Sequence, residues 1–158
     1  SNGLGTSLST GAIYEKRTDT WTTISTATPA SGGDGVKAVF AGRNKVAVFG
    51  GDTNTGAMLD IGTNTWSQMS LTDAPAISNG HSLIFTKGKI LVFGGDNGSG
   101  LNATIKLYNP DGDIWETKTN TLTTRKNHKT VAGLSKRTAA NLTNSQERPL
   151  PQERLLMR

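Results

Sequence analysis

KVAVFGGD runs from Lys45 to Asp52, and KILVFGGD runs from Lys89 to Asp96, 44 positions later. Each octapeptide carries four consecutive apolar residues, Val46 to Phe49 or Ile90 to Phe93, closed by two glycines and an aspartate. An apolar run this short and this rich in β-branched residues reads as a strand buried on both faces. Such a strand sits between neighbouring sheets. Paired glycines at its end, Gly50 with Gly51 and Gly94 with Gly95, imply a sharp exit under a bulky neighbour, because a residue without Cβ takes φ > 0 and lets a ring approach closely.

Working outward, a shorter apolar run precedes each octapeptide: AVF at Ala38 to Phe40 and LIF at Leu83 to Phe85. Aligning VFAGRNKVAVFGG from Val39 with LIFTKGKILVFGG from Leu83 gives a uniform offset of 44 and puts Lys37 in the slot of His81. By position, TVAG at Thr130 to Gly133 starts another unit. On the other side, Tyr14 and Trp21, Leu59 and Trp66, and Tyr108 and Trp115 are each seven apart, with Trp-to-Trp steps of 45 and 49. Two landmarks therefore agree on one repeating unit. Between the members of each pair lies a turn rich in Asp, Asn, Gly and Thr, and the strand that starts near Trp turns polar, as in WETK at Trp115 to Lys118. A polar last strand suits an exposed outer edge.

Four antiparallel strands per unit, running from a buried inner pair to a polar rim, describe the blades of a propeller. The ordered combination of an apolar strand closed by Gly-Gly and then Tyr, six residues and Trp resembles the kelch-repeat family over about residues 2 to 133. The resemblance implies an all-β fold: a partial kelch-type β-propeller of four-stranded antiparallel blades in an incomplete ring. It also implies that the inner strands line a channel, and that Tyr14, Trp21, Gly50, Gly51, Leu59, Trp66, Gly94, Gly95, Tyr108 and Trp115 pack between blades. Leu59 stands where the pattern has Tyr and is expected to loosen one contact. The organisation that follows is a second half-blade at 1–26, complete blades at 27–71 and 72–122, an inner strand of a further blade at 123–134, and a flexible or weakly structured basic tail at 135–158. Closure needs roughly four to eight blades. Three readings of such a chain stay open: a fragment or truncated product of a longer propeller, two copies completing one ring, or an open stack with its tail over an edge.

Composition narrows the functional classes. The chain has 158 residues, 34% of them hydrophobic, and no Cys, which excludes disulfides and thiolate metal sites and leaves the compartment open. Its net charge of +5 is divided between +2 in residues 1–133 and +3 in the tail. The folded body is close to neutral, its cations are scattered and its aromatics fall at strand positions, so no nucleic-acid groove is expected. No apolar run of about 18 residues is present for a membrane span, and SNGLGTSLST at the start lacks the regions of a signal peptide.

No catalytic set, metal or cofactor emerges. His81 and His128 precede inner strands and face a channel mouth, but without a third ligand of fixed spacing they read as polar caps. Asp52 and Asp96 follow the glycine pairs; a paired-carboxylate role is possible in principle, and hydrogen bonding to their own turns is the simpler reading. GDNGSG at Gly95 to Gly100 lacks the Lys-Ser/Thr ending and the helix of a phosphate loop. The repeated aromatics read as core rather than as a sugar-stacking platform, and the triplets at Asn102 and Asn141 that match a glycosylation acceptor carry no assignment. The segments Asp52 to Gly56, Asp96 to Ala103, Leu71 to Gly80 and Thr119 to Asn127 emerge on one face, which makes Asp52, Asn54, Asp96, Asn97, Ser99, Asn102, His81 and His128 the candidate contact residues. The resemblance implies a protein-interaction module with a protein partner. The alternative is a remnant or half of a carbohydrate-binding or sugar-modifying propeller enzyme, whose copper-oxidase version needs a Cys this chain lacks. A third reading is a product with no function of its own.

Overall fold

Both the continuous and the mixed apolar runs become strands, ten among the described residues, with no helix. The computed structural model describes residues 10–24, 35–51, 53–76 and 79–132. β1 (Ala12–Glu15) and β2 (Thr20–Thr23) form a two-stranded sheet. β3 (Val36–Phe40), β4 (Lys45–Gly50), β5 (Gly56–Asp60) and β6 (Thr65–Gln68) form a four-stranded sheet in sequence order. β7 (Ser82–Thr86), β8 (Lys89–Phe93), β9 (Ile105–Asn109) and β10 (Ile114–Lys118) form a second. All pairings are antiparallel. β3 and β7 run close together without sharing a ladder, so the two sheets meet as blades along their inner strands.

The seven-residue aromatic spacing is a cross-strand pair. Tyr14 lies opposite Trp21, Leu59 opposite Trp66, and Tyr108 opposite Trp115. Each hairpin closes through four residues, the last of which, Asp19, Asn64 or Asp113, has φ of 54°, 54° or 50°. Asp and Asn tolerate this left-handed conformation better than other side chains. Where the strand carries Tyr, its hydroxyl donates to that Asp: Tyr14 to Asp19 at 2.9 Å and Tyr108 to Asp113 at 2.6 Å. Leu59 has no hydroxyl, and the residue at 64 is Asn, whose Nδ2 instead donates to the Thr23 carbonyl of the preceding sheet at 3.2 Å. Leu59 is itself buried. The expected loosening is therefore a hydrogen bond redirected to the neighbouring sheet rather than a packing gap.

The 44-residue offset holds for the second strands and fails for the first. Phe40 pairs with Val46, whereas Phe85 pairs with Ile90, so Phe40 and Phe85 are equivalent at an offset of 45. The extra residue is in the turn. Lys87 and Gly88, both at positive φ, close β7–β8 in two residues, while Gly42 to Asn44 close β3–β4 in three, with the Ala41 N–H donating to the Lys45 carbonyl at 2.8 Å. Lys37 pairs with Phe49 and Ser82 with Phe93, which makes Lys37 the counterpart of Ser82, and Val36 that of His81. A one-residue slip in a strand reverses the face of every side chain, so this correction decides which residues touch the neighbouring blade.

The core lies between the blades. Ala47, Phe49, Met58 and Met69 from one sheet pack with Ile90, Val92, Tyr108 and Trp115 from the next. Trp115 sets its ring 5.2 Å from that of Phe49 and donates from Nε1 to the Ser70 carbonyl at 2.8 Å. Asp113 accepts the Ser70 N–H at 2.7 Å. The backbone of one residue of the preceding blade, Ser70, is thus held at both its N–H and its C=O. Burial, and then the bond to Asp113, push the Tyr108 hydroxyl well above its usual pKa, so Tyr108 stays a donor.

Equivalent positions elsewhere are less covered. Trp66 is half-buried and its Nε1 makes no hydrogen bond, while Tyr14 is exposed and Trp21 is 71% exposed against 6% for Trp115. The expectation that all the repeat aromatics are core fails at Tyr14 and Trp21, because nothing among the described residues lies over their sheet. At the outer rim, Lys118 and then Lys89 hold the Glu116 carboxyl down to about 2, a charged and solvated edge.

The expected inner strand at 123–134 does not form among its described residues, Thr123 to Ala132. An inner strand needs the ladder of a second strand, and no second apolar run follows in the sequence. Gly133, Leu134 and the tail lie outside the described residues, as do residues 1–9.

Trp115→Ala removes a buried ring and a hydrogen bond and should cost about 3 to 5 kcal/mol. Trp21→Ala should cost under about 1 kcal/mol in the isolated chain, since so much of Trp21 is already in water. Urea unfolding of the two variants checks the contrast.

Candidate functional site

Paired glycines close β4 and β8 at the face where the segments between blades return to β7, and this is where histidines from the next blade come to rest. Gly50 has φ +85°, and a Cβ built there would lie 2.4 Å from His81 Cε1. Gly94 has φ +70°, and its Cβ would meet the Arg125 carbonyl at 2.6 Å and His128 Cε1 at 2.8 Å. Gly51 and Gly95 also have positive φ. Each imidazole stands edge-on to the phenylalanine before its glycine pair, His81 to Phe49 at 5.8 Å and His128 to Phe93 at 4.8 Å. The large neighbour required by the glycines is therefore a histidine. The same pair of histidines was a candidate metal set; among the described residues, no three His, Cys, Asp or Glu side chains converge as a metal-binding group.

His81 is 1% exposed, and His128 is half-buried beside Ser82, whose Oγ lies 3.0 Å from His128 Nε2 and 2.7 Å from Thr130 Oγ1. Burial, and then the nearby Arg125 cation, hold the His128 pKa below its usual value. Arg125 also stacks on the far ring, its Cζ 5.6 Å from the Phe93 centroid. A cavity of about 280 Å³ opens here, lined among others by Lys37, His81, Ser82, His128 and Lys129.

The longer loops lock onto one another. Asn79 and Asp96 exchange backbone hydrogen bonds at 3.0 and 2.8 Å. Gly95 N–H donates to the Arg125 carbonyl at 2.8 Å, Arg125 N–H to Asn102 at 3.2 Å, and Asn102 N–H back to Gly95 at 2.9 Å. Asn127 N–H donates to Gly80 at 2.7 Å and Asn120 Nδ2 to the Ala103 carbonyl at 2.8 Å. Asp96 accepts Lys126 Nζ at 2.9 Å through Oδ2, and its own turn's Gly98 N–H at 3.0 Å through Oδ1. Those two donors, Lys126 first, hold its carboxyl below the usual range.

Asn97 and Asn102 spend their Oδ1 atoms on Ser99 and Thr104 N–H, and Asn97, Ser99 and Asn54 are exposed. Among the loop candidates, Asp96 and Asn102 are tied to the segment that carries His128 through Lys126 and Arg125. Asp52 lies outside the described residues. What residue-type reasoning passed over is apolar: Leu71, Leu101 and Leu122 stand exposed on these same loops. A leucine in a polar loop was the signal. Sequence reading also missed a cleft of about 560 Å³ near the opposite turns, where Phe85 lies on Gly42 and Arg43 pairs with Asp111 across the blades at 3.0 Å.

A family model described as the KLHDC2/KLHL20/DRC7 Kelch-repeats domain matches residues 4–146. The chain belongs to the kelch-repeat family. Among curated proteins, none matches it. Kelch-repeat domains serve in general as protein-interaction modules rather than enzymes. No helix among the described residues of this kelch chain is long and apolar enough to cross a membrane.

Because the folded pKa of His128 is depressed, the unfolded chain takes up a proton first. The stability from the neutral, seated imidazole is complete above about pH 6.5 and is lost as pH falls through the lower folded value. The His128 ring should titrate below 6.5 by NMR, and His128→Gln should flatten the melting-temperature slope between about pH 7 and 5.

Proposed function

We propose that this kelch chain binds a protein partner through the face formed by the Asp96–Ala103 loop and the segments between blades, with Leu101 and Leu122 as its apolar contacts. The supporting observation is the closed backbone circuit Gly95–Arg125–Asn102. That circuit stiffens the loop before any partner arrives, and a preformed loop loses less conformational entropy on binding than a floppy one. Asn97 and Ser99 are exposed polar residues on the same loop as Leu101, and interfaces typically combine an apolar centre with a polar rim.

Leu101→Asp combined with Leu122→Asp tests the reading. Both residues are nearly half exposed and neither belongs to the core, so the melting temperature should move by under about 3 °C. Affinity for a partner captured with the unmodified chain should fall at least about tenfold by calorimetry. Unchanged affinity would overturn the assignment of this face.

A further inference from the structure

Arg43 and Asp111 pair at 3.0 Å across the mouth of the cleft of about 560 Å³ that lies between the two four-stranded sheets. Arg43 stands in the β3–β4 turn, where it and Asn44 hold positive φ and the Lys45 N–H donates to the Gly42 carbonyl at 2.9 Å. Asp111 stands in the β9–β10 hairpin, its N–H on Asn109 Oδ1 at 3.2 Å. Backbone bonds therefore hold both positions. The inner side of the cleft is apolar: Met58 from β5, Phe85 from β7 and Tyr108 from β9 supply a thioether and two rings.

The other charges around the cleft are already committed. Asp113 accepts the Ser70 N–H and the Tyr108 hydroxyl, and Lys45 pairs with Asp60 at 3.5 Å. The side chains of Arg43 and Asp111 hold only one another among the described residues, through a single N–H···O contact, and are 80% and 75% exposed. An ion pair so open to water contributes little, and most of its hydrogen-bonding capacity is unspent: one of the five guanidinium N–H groups is used, and one of the two carboxylate oxygens. A guest of one sign would serve half of this pair. A phosphate or a plain carboxylate meets Asp111 and Asp113 on the facing wall, and a plain amine meets Arg43 and Lys45. A guest that carries both signs on neighbouring atoms satisfies both members, as the α-ammonium and α-carboxylate of a free amino acid do. The thioether and rings inside favour an aromatic side chain on that guest. The volume falls within the range of about 300 to 1,000 Å³ common for small-ligand sites.

We propose that this cleft binds a free amino acid with an aromatic side chain. Its carboxylate takes the open guanidinium donors of Arg43, its ammonium takes the open oxygen of Asp111, and its ring enters against Met58 and Phe85. Phe85 is itself positioned by the neighbouring blade, since its ring lies on Gly42, where an added Cβ would meet it at 3.3 Å. Arg43 and Met58 come from one blade and Asp111 and Phe85 from the next, so the site exists only while the seam between them is closed. None of these residues belongs to the proposed partner face, and the two readings stand or fall separately.

Calorimetry of the full chain with L-phenylalanine tests this. The expected result is saturable binding of one molecule per chain. N-acetyl-L-phenylalanine lacks the ammonium, L-phenylalanine amide lacks the carboxylate and glycine lacks the ring. Each should bind at least about tenfold more weakly, through the loss of a charged hydrogen bond or of a buried ring. Arg43→Gln and Asp111→Asn should each weaken L-phenylalanine binding at least about tenfold as well. Both side chains are largely in water, so circular dichroism should show the sheets of each variant unchanged. No saturable binding, a capped compound or glycine binding as tightly as L-phenylalanine, or full affinity in either variant would each overturn the proposal.

Discussion

A ring pressed onto a glycine is the contact on which the rest depends. His81 rests on Gly50 and His128 on Gly94, each against the phenylalanine that ends an inner strand. No other residue fits beneath, because positive φ and the approach distance both exclude a Cβ. The seat fixes how far each blade stands from the last, and only at that distance does Trp115 reach the Ser70 carbonyl. Aromatic contacts of this kind are worth about 0.5 to 1.5 kcal/mol beyond area burial. Their larger effect is positional: they bring the apolar faces of two thin sheets together, where neither sheet alone encloses a core.

Stability in such a stack is a sum over neighbours. The interface between the two four-stranded sheets is complete, with buried Phe49, Met69, Tyr108 and Trp115. Between β1–β2 and the first four-stranded sheet, among the described residues, Asn64 reaches the Thr23 carbonyl and Trp66 has no hydrogen bond for its indole. Cover over the repeat tryptophans among the described residues falls from Trp115 to Trp66 to Trp21.

Much of this was legible because the repeat displays its constraints in covalent order. The spacing of Tyr108 and Trp115 is the arithmetic of one hairpin, and Gly94 with Gly95 marks a ring not yet named. Two things were illegible for a physical reason. The shift that makes Lys37 equivalent to Ser82 comes from the length of a turn, and apolar pattern alone does not reveal whether one residue is added before or after it. The grip on Ser70 uses a backbone peptide, which has no side-chain signature; Asp113 was visible only as a turn residue. The candidate face was located by topology, since strand direction alone brings Asp96 and His128 to one end, but its leucines were overlooked by attention to polar types.

The segment after β10 separates two contributions that ordinarily occur together. Thr123 to Ala132 form no strand, yet Asn127 holds positive φ as Gly80 and Gly35 do, His128 occupies its seat and Thr130 meets Ser82. Docking against the preceding blade is present here without a strand among the described residues. The contact between blades here does not require a strand: at Gly80–His81 and at Asn127–His128 a left-handed residue precedes a ring seated on a glycine, and only the first of these leads into a strand among the described residues.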